Sequence, residues 1–403
     1  MKTVLCIDAG DFGGGSAESL HIHIRSLKEK YNFICIFTSR NRFTEKIEKL
    51  DVPVHYSLEN YFNIGYIEKN RLKARFFNLL YKVTFRLKSL FLHNSIILFF
   101  NKPFYELFED IIKSESIDII HTNNQPNRDF LLIKIASAYN KRVVSHIRSS
   151  NTYGFSTAKS QFCNNHASTF ITYSSFLKKI WCEKKLDSTK VHVISNVVEQ
   201  LSEKELFEAM MPIEKIFQLD CIKIGLVGRI IPERGHLFAL DVLSNLKNRG
   251  RDAKLFIIGD HRGFDNYLEK ILDKVTELDL ENNVVFTGFI NNPYQFIANM
   301  DILFLPYSIE PFGRTLIESW QLKTSVVLSD VGHIGDVVQH RQNGMLFQFE
   351  NIESSVSCIE NLIDSNELRN KIVSNGYRTF CEGYTPSNYS VKIEAVYEEM
   401  ANP

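Results

Sequence analysis

At 403 residues the chain is longer than one ordinary domain, and two domains are the natural division. Hydrophobic residues at 44% and charged residues at 23% are a globular composition, and 47 basic against 47 acidic residues speak against a global attraction for nucleic acid. Seven cysteines, an odd number without C-x-x-C spacing, speak against a disulfide framework or a zinc site and point to reduced thiols in a cytoplasm.

Met1 to Asp8 turns polar too soon for a signal peptide and reads as a first strand, Val4 to Ile7 being the continuous apolar run of a strand buried on both faces of a parallel sheet. No run of about 18 apolar residues follows anywhere, so no membrane-spanning helix is expected. Asp8-Ala-Gly-Asp-Phe-Gly-Gly-Gly-Ser-Ala17, containing Gly13, Gly14 and Gly15, leads to a predicted helix over 18–30. Such a turn either lets a phosphate or sugar approach helix amides or is a flexible connection; it lacks the G-x-G-x-x-G spacing, and no P-loop lysine follows. Further apolar runs at Phe33–Phe37, Ile117–His121, Val143–His146, Thr169–Tyr173 and Val191–Ile194 alternate with helical stretches, which predicts a doubly wound parallel sheet. His121 and His146 stand at predicted strand ends, where ligands gather in such sheets, and Arg148 follows closely.

Residues 69–104 carry Lys69, Arg71, Lys73, Arg75, Lys82, Arg86, Lys88 and Lys102 and no acid. Leu72, Phe76, Leu79, Leu80, Val83, Leu87, Leu90 and Phe91 recur there at helical spacing beside a basic stripe. The pattern fits a helix lying in an anionic membrane interface, and equally one docked on the sheet with its charges in water.

Residues 199–219 are charged, contain Pro212 and read as a connection between domains 1–198 and 220–384. A second β/α series begins at Ile222–Val227 and continues through Leu255–Ile258, Val284–Phe286, Ile302–Leu305, Val326–Leu328 and Met345–Phe347. After its first strand comes Gly228-Arg-Ile-Ile-Pro-Glu-Arg-Gly235, where Arg229 and Arg234 on a glycine-flanked loop suit a diphosphate. Ile302-Leu-Phe-Leu-Pro306 reads as a buried strand, followed by Ser308-Ile-Glu-Pro-Phe-Gly-Arg-Thr-Leu-Ile-Glu318. That loop and helix start hold two carboxylates, Glu310 and Glu318, suited to sugar hydroxyls, and unpaired amides behind Gly313 that favour an anion.

Glu310-Pro-Phe-Gly-Arg-Thr-Leu-Ile-Glu318 resembles the E-x7-E motif of family 4 glycosyltransferases, retaining enzymes of the α/β GT-B fold, in which two doubly wound Rossmann-like domains face a cleft. The 228–235 loop resembles that family's G-R-x(3)-E-K-G loop, with Arg234 in place of lysine. Leu255 to Gly259, Val284 to Phe289, Asp301 to Pro306, Asp330 to Asp336 and Asn343 to Leu346 follow in the family's order. The chain departs from the pattern at Ser319 to Ser325, at His333 and at Val197.

The resemblance implies transfer of a sugar from a nucleotide-diphospho-sugar donor to a saccharide or lipid-linked acceptor with retention, in bacterial capsule, O-antigen or exopolysaccharide synthesis. Arg229 and Arg234 would neutralise the departing diphosphate, Glu318 would hold ribose hydroxyls and Glu310 the transferred sugar. Gly228, Gly259, Gly288, Phe289, Pro311, Phe312, Gly313, Arg314 and Thr315 would line the donor. His146 would contact sugar or acceptor, and Gly13, Gly14, Gly15 and Arg148 would lie on the acceptor or phosphate side. Neither metal nor other cofactor is implied, and no nucleic acid. The final helix, within 385–403, would cross back to the first domain, and the protein would work in the cytoplasm or on the inner face of the plasma membrane. A sugar-nucleotide epimerase or hydrolase on the same fold, and a catalytically silent assembly protein, are the alternative readings.

Overall fold

The computed structural model describes residues 1–9, 15–57, 101–214, 219–309 and 313–401. Gly13, Gly14, Glu310, Pro311, Phe312 and most of the basic segment, 69–100, lie outside the described residues; residues 102–104 open the helix Lys102–Ser114.

Contacts divide the chain into two units. The first is Met1–Asn196 with Tyr389–Pro403, and the second is Val197–Asn388. In the first unit, β1 (Lys2–Asp8), β2 (Tyr31–Phe37), β3 (Val54–Tyr56), β4 (Ile119–Thr122), β5 (Arg142–Ile147), β6 (Thr169–Thr172) and β7 (Val191–Val193) form one sheet. Its order is β3-β2-β1-β4-β5-β6-β7, every pair parallel. Val4, Leu5, Cys6 and Ile7 are all at most 1% exposed, so both faces of β1 are covered and an unbroken apolar run is what this position requires. Successive strands are laid down outward from β1 on both sides. The winding direction reverses between β1 and β4, the switch point at whose carboxyl edge ligands bind in such sheets.

The second unit repeats the plan with β8 (Ile222–Val227), β9 (Ala253–Ile258), β10 (Val284–Gly288), β11 (Ile302–Leu305), β12 (Ser325–Ser329) and β13 (Met345–Phe347), ordered β10-β9-β8-β11-β12-β13 and again all parallel. Side chains alternate across each strand and build two cores. Ile224, Leu226, Leu255, Ile257, Ile302, Phe304 and Val327 enter one, and Val227, Phe256, Ile258, Leu303, Leu305, Val326 and Leu328 the other. Each such fully buried side chain contributes about 1.5–3 kcal/mol relative to exposure. The switch point here lies between β8 and β11.

The described residues of 199–219 are part of the second unit's packing. Ser202 and Glu205 form a capping box at the start of the helix Glu203–Met210, and Leu201, Leu206 and Leu219 pack against the core. Gln321 fixes the preceding strand of chain, accepting from Leu201 N at 2.7 Å and donating to Glu199 O at 2.9 Å. The last helix, Pro386–Ala401, has its residues from Tyr389 onward in the first unit.

Candidate functional site

At the carboxyl edge of the second sheet, four strand ends are pressed together by backbone contact. Gly259 N donates to Gly288 O at 3.0 Å, joining the ends of β9 and β10. A side chain at Gly259 would place its Cβ 1.8 Å from Gly228 O, so β8 and β9 approach this closely because residue 259 is glycine. Gly235 stands at φ +71°, and a Cβ there would lie 1.9 Å from Pro306 O. Ser308 N donates to Glu233 O at 3.1 Å. The loop after β8 and the loop after β11 therefore lie side by side across the switch point.

Those loops carry the two arginines. Arg229 is exposed, beside Gly228. Arg234 is half-buried, and its Nη1 donates to the Tyr307 hydroxyl at 2.7 Å while its Cζ lies 4.8 Å from the centre of the same ring. Tyr307 is 2% exposed and in turn fixed by Ser329 Oγ, which donates to its carbonyl at 2.6 Å. One of the two arginines is thus exposed and the other is stacked and hydrogen-bonded in place.

Beyond β11, Gly313 takes a left-handed conformation (φ +80°) as N-cap of the helix Arg314–Gln321, with no side-chain cap. The amides of Arg314 and Thr315 open that helix, where the dipole favours negative charge. Glu318 is 8% exposed and takes an ion pair from Arg314 Nη2 at 3.4 Å. His333 Nε2 is 3.9 Å from where a Gly313 Cβ would stand. Trp320 anchors the helix from below, its Nε1 donating to Asn343 O at 2.8 Å. At the other end of the row Phe289 is exposed beside Gly288, with the Arg262 guanidinium 5.4 Å from its ring centre. So the described residues assigned to the donor, from Gly228 and Gly259 to Thr315, share one edge of one sheet.

The first unit treats its candidates differently. His146 does not face outward from the end of β5. It is wholly buried, with Nδ1 3.2 Å from His121 Nε2, and burial lowers its pKa well below the usual histidine value. A sugar contact by this ring is not what the structure displays, because the side chain points into the layer under β4 and β5. Arg148, two residues on, is at the carboxyl edge. Its Nε donates to Asn123 Oδ1 at 2.8 Å and its Nη1 to Asn196 Oδ1 at 2.9 Å. Asn123 Nδ2 donates to Asp8 Oδ2 at 2.8 Å, and Asn124 Nδ2 to Asp8 Oδ1 at 3.3 Å. Asp8, Asn123 and Arg148 thereby gather at the β1/β4 switch point, and Gly15 begins the helix Gly15–Leu27 beside them, where Asn123 also donates to Ser16 O.

Residues 214–379 match the family described as glycosyl transferases group 1. This segment is similar to that family. The matched segment takes in the carboxyl edge of the second sheet. Among curated relatives, the chain is 24% identical over 222 residues to the alpha-D-kanosaminyltransferase of Streptomyces kanamyceticus, covering 54% of this chain and 56% of that one. It is 26% identical over 180 residues to a capsular polysaccharide biosynthesis glycosyltransferase of Staphylococcus aureus, covering 44% and 46%. The chain spans about half the length of the curated relatives it matches. Among solved structures, Anabaena HepE in complex with UDP superposes with a TM-score of 0.76 at 18% identity, covering 99% of this chain and all of that one. A glycosyltransferase from Rickettsia africae gives 0.76 at 19%, covering 100% and 99%. That likeness gives the architecture: two α/β units with parallel sheets, the GT-B fold.

Tyr307 of the matched segment and Asp8 and Asn123 of the first unit were not among the residues the sequence singled out. Tyr307 follows the strand-ending Pro306 directly, which is a local signal for a site residue. The others meet across more than 100 positions, for which no local signal exists. Among the described residues no group of three or more His, Cys, Asp or Glu is arranged to hold a metal ion, and no helix is long and apolar enough to cross a membrane.

Proposed function

We propose that the protein is a glycosyltransferase that moves a sugar from a nucleotide-diphospho-sugar to a saccharide or lipid-linked saccharide, with retention at the anomeric carbon, in bacterial surface-polysaccharide synthesis. The observation that carries this reading is the pairing of the Arg229/Arg234 loop with the Gly313 helix start across the β8/β11 switch point. In this reading the Arg229 and Arg234 guanidiniums and the helix amides act on the negative charge that a diphosphate gathers as its bond to the sugar breaks, which is the stabilisation such a reaction needs most. Glu318, a carboxylate with only acceptors, is the partner for the ribose hydroxyls, and Glu310 for those of the transferred sugar. In this reading the arginines and amides do the work of charge relief and no metal is required, so a chelator leaves the rate unchanged. The acceptor oxygen attacks on the face the phosphate leaves, so no protein nucleophile is needed. A UDP complex of the structural neighbour and a capsule enzyme among the relatives favour a nucleotide-sugar and a surface glycan.

The test is a binding screen of nucleotide-sugars, followed by incubation of each binder with the lipid-linked saccharide fraction of a cell extract. Mass spectrometry should find the acceptor heavier by one glycosyl unit, and NMR of the product should find the anomeric configuration of the donor. Free sugar released at the same rate without acceptor would turn the reading into a hydrolase. Absence of any nucleotide-sugar binding would turn it into a silent fold. Arg229→Ala should abolish most turnover with the melting temperature unchanged.

A further inference from the structure

Arg314 is the first residue of the helix Arg314–Gln321, where its charge does not suit the helix. The start of a helix is the positive end of its dipole, so a cation there is disfavoured. The order of its ion pair is unfavourable as well. Four residues apart on a helix, the acid does better on the N-terminal side of the base, and here Arg314 precedes Glu318. Helix formation therefore does not account for an arginine at this position.

The two side chains are nonetheless held together. Arg314 Nη2 lies 3.4 Å from Glu318 Oε1, and with side-chain exposures of 15% and 11% water has little access to the pair. The helix that carries them is itself fixed. Leu316, Ile317 and Trp320 are at most 4% exposed, and Gln321 ties the last turn to Glu199 and Leu201. Each partner keeps one polar end unused. Glu318 Oε2 accepts no hydrogen bond from a described residue, although the side chain is buried, and Arg314 Nη1 is buried without a partner among the described residues.

A glutamate side chain has several rotamers, and each turns its acceptors in a different direction. A charge-assisted contact to Oε1 selects one of them and leaves Oε2 as the acceptor that a ligand meets. The guanidinium also balances the Glu318 charge one turn from the helix start, where a second anion would otherwise be repelled.

We infer that Arg314 is a positioning residue for Glu318: its Nη2 holds Oε1 and thereby presents Oε2 to the paired hydroxyls of the nucleoside's ribose. The ribose rests on the proposed function; the orientation of Glu318 by Arg314 does not. Arg314 thus serves the nucleoside half of the donor, although it stands at the helix end assigned to the diphosphate.

Two measurements on the full-length protein separate these parts. In the first, without nucleotide, 15N-arginine spectra are taken with the Arg314 signals assigned by Arg314→Met. The Arg314 Nη protons should be resolved by restricted rotation, and Glu318→Ala should average them. Signals already averaged in the unsubstituted protein would overturn the pairing. In the second, calorimetric titration with UDP, GDP and ADP finds the diphosphate that binds, and the variants are titrated with it and with its 2′,3′-dideoxy form. Arg314→Met should raise the Kd of the ribose form about ten-fold and that of the dideoxy form by less than about two-fold. Added to Glu318→Ala, the same substitution should change the Kd of the ribose form by less than about two-fold, because the group through which Arg314 acts is already gone. Equal weakening of both ligands would mean that Arg314 acts on the diphosphate or on the helix as a whole, and would overturn the positioning role, as would an unchanged Kd for both. Failure of all three diphosphates to bind would overturn the proposed function and the ribose assignment with it, while the nucleotide-free spectra would still decide the pairing.

Discussion

Tyr307→Phe is a small change with a defined consequence for the Arg234 guanidinium. It removes one oxygen from a residue 2% exposed and keeps the ring, so no cavity larger than that oxygen is made. The stacking of Arg234 on the ring, 4.8 Å from its centre, persists and contributes about 0.5–1 kcal/mol at a partly exposed site. What is lost is the 2.7 Å hydrogen bond from Nη1. Bonds to charged groups contribute about 1.5–3 kcal/mol, but Arg234 is half-buried and water replaces part of the bond. About 1 kcal/mol of diphosphate affinity should therefore disappear, roughly a five-fold rise in Kd. Calorimetric titration with the nucleoside diphosphate and with the bare nucleoside of the donor separates the effects, because the guanidinium is assigned to phosphate alone. Affinity for the nucleoside should stay constant and the melting temperature should move by less than about 2 °C. Unchanged diphosphate affinity, or an equal loss for nucleoside and diphosphate, would refute the assignment of Arg234.

Glu318→Ala should weaken the donor and the free nucleoside diphosphate alike, by about 1.5–3 kcal/mol, whereas Glu310→Gln should impair turnover more than diphosphate binding; titration and initial rates distinguish the two. Gly235→Ala forces a left-handed residue and a Cβ 1.9 Å from Pro306 O, so the second unit should lose at least about 2 kcal/mol and melt about 4–8 °C lower by calorimetry. The first unit should lose stability below about pH 6.5. His23, His121 and His146 have lowered folded pKa values, so unfolding takes up protons there, each costing about 1.4 kcal/mol per pH unit down to the folded value. Asp129, raised to about 7 by burial, acts in the opposite sense between about pH 4 and 7 and offsets one of the three, so melting curves should still fall with acid; a first unit indifferent to pH between 4.5 and 6.5 would contradict the buried neutral histidines. Replacing Arg71, Arg75, Lys82 and Arg86 with glutamate should release the protein from anionic liposomes, and flotation at low salt that finds no binding by the unmodified chain would end the membrane proposal.

The parallel sheets were legible because strands covered on both faces leave continuous apolar runs, as at Val4–Ile7 and Ile302–Leu305. β3 left no such trace: it is three residues long, at the sheet edge and only half-buried, so no apolar run is demanded of it. The arginine loop was readable because glycines with fixed backbone demands bracket it at Gly228 and Gly235. Tyr307 has a local signal in its place after the strand-ending Pro306, but its role shows only in the contact of its hydroxyl with Arg234. The environment of His146 was equally hidden. Its position in sequence suggested a strand end, but its partners His121 and, farther along, Tyr397 come from 25 and more positions away. The charged stretch at 199–219 resembles a linker in composition because its helix Glu203–Met210 buries Ala209 alone among its own residues, with neighbours such as Val198 supplying the contact.

The return of Tyr389–Ala401 to the first unit has a consequence for biosynthesis. In chain order the second unit is an insertion within the first. As the polypeptide leaves the ribosome, residues 197–388 are complete while the first unit still lacks one wall. His23 and His121 then lack the Tyr389 and Tyr397 hydroxyls they meet in the finished unit, and the layer they line stands open to water. The second unit can fold as a finished body during synthesis, but the first closes only when the last helix has emerged. Loss of a few C-terminal residues would therefore injure the half of the protein made earliest.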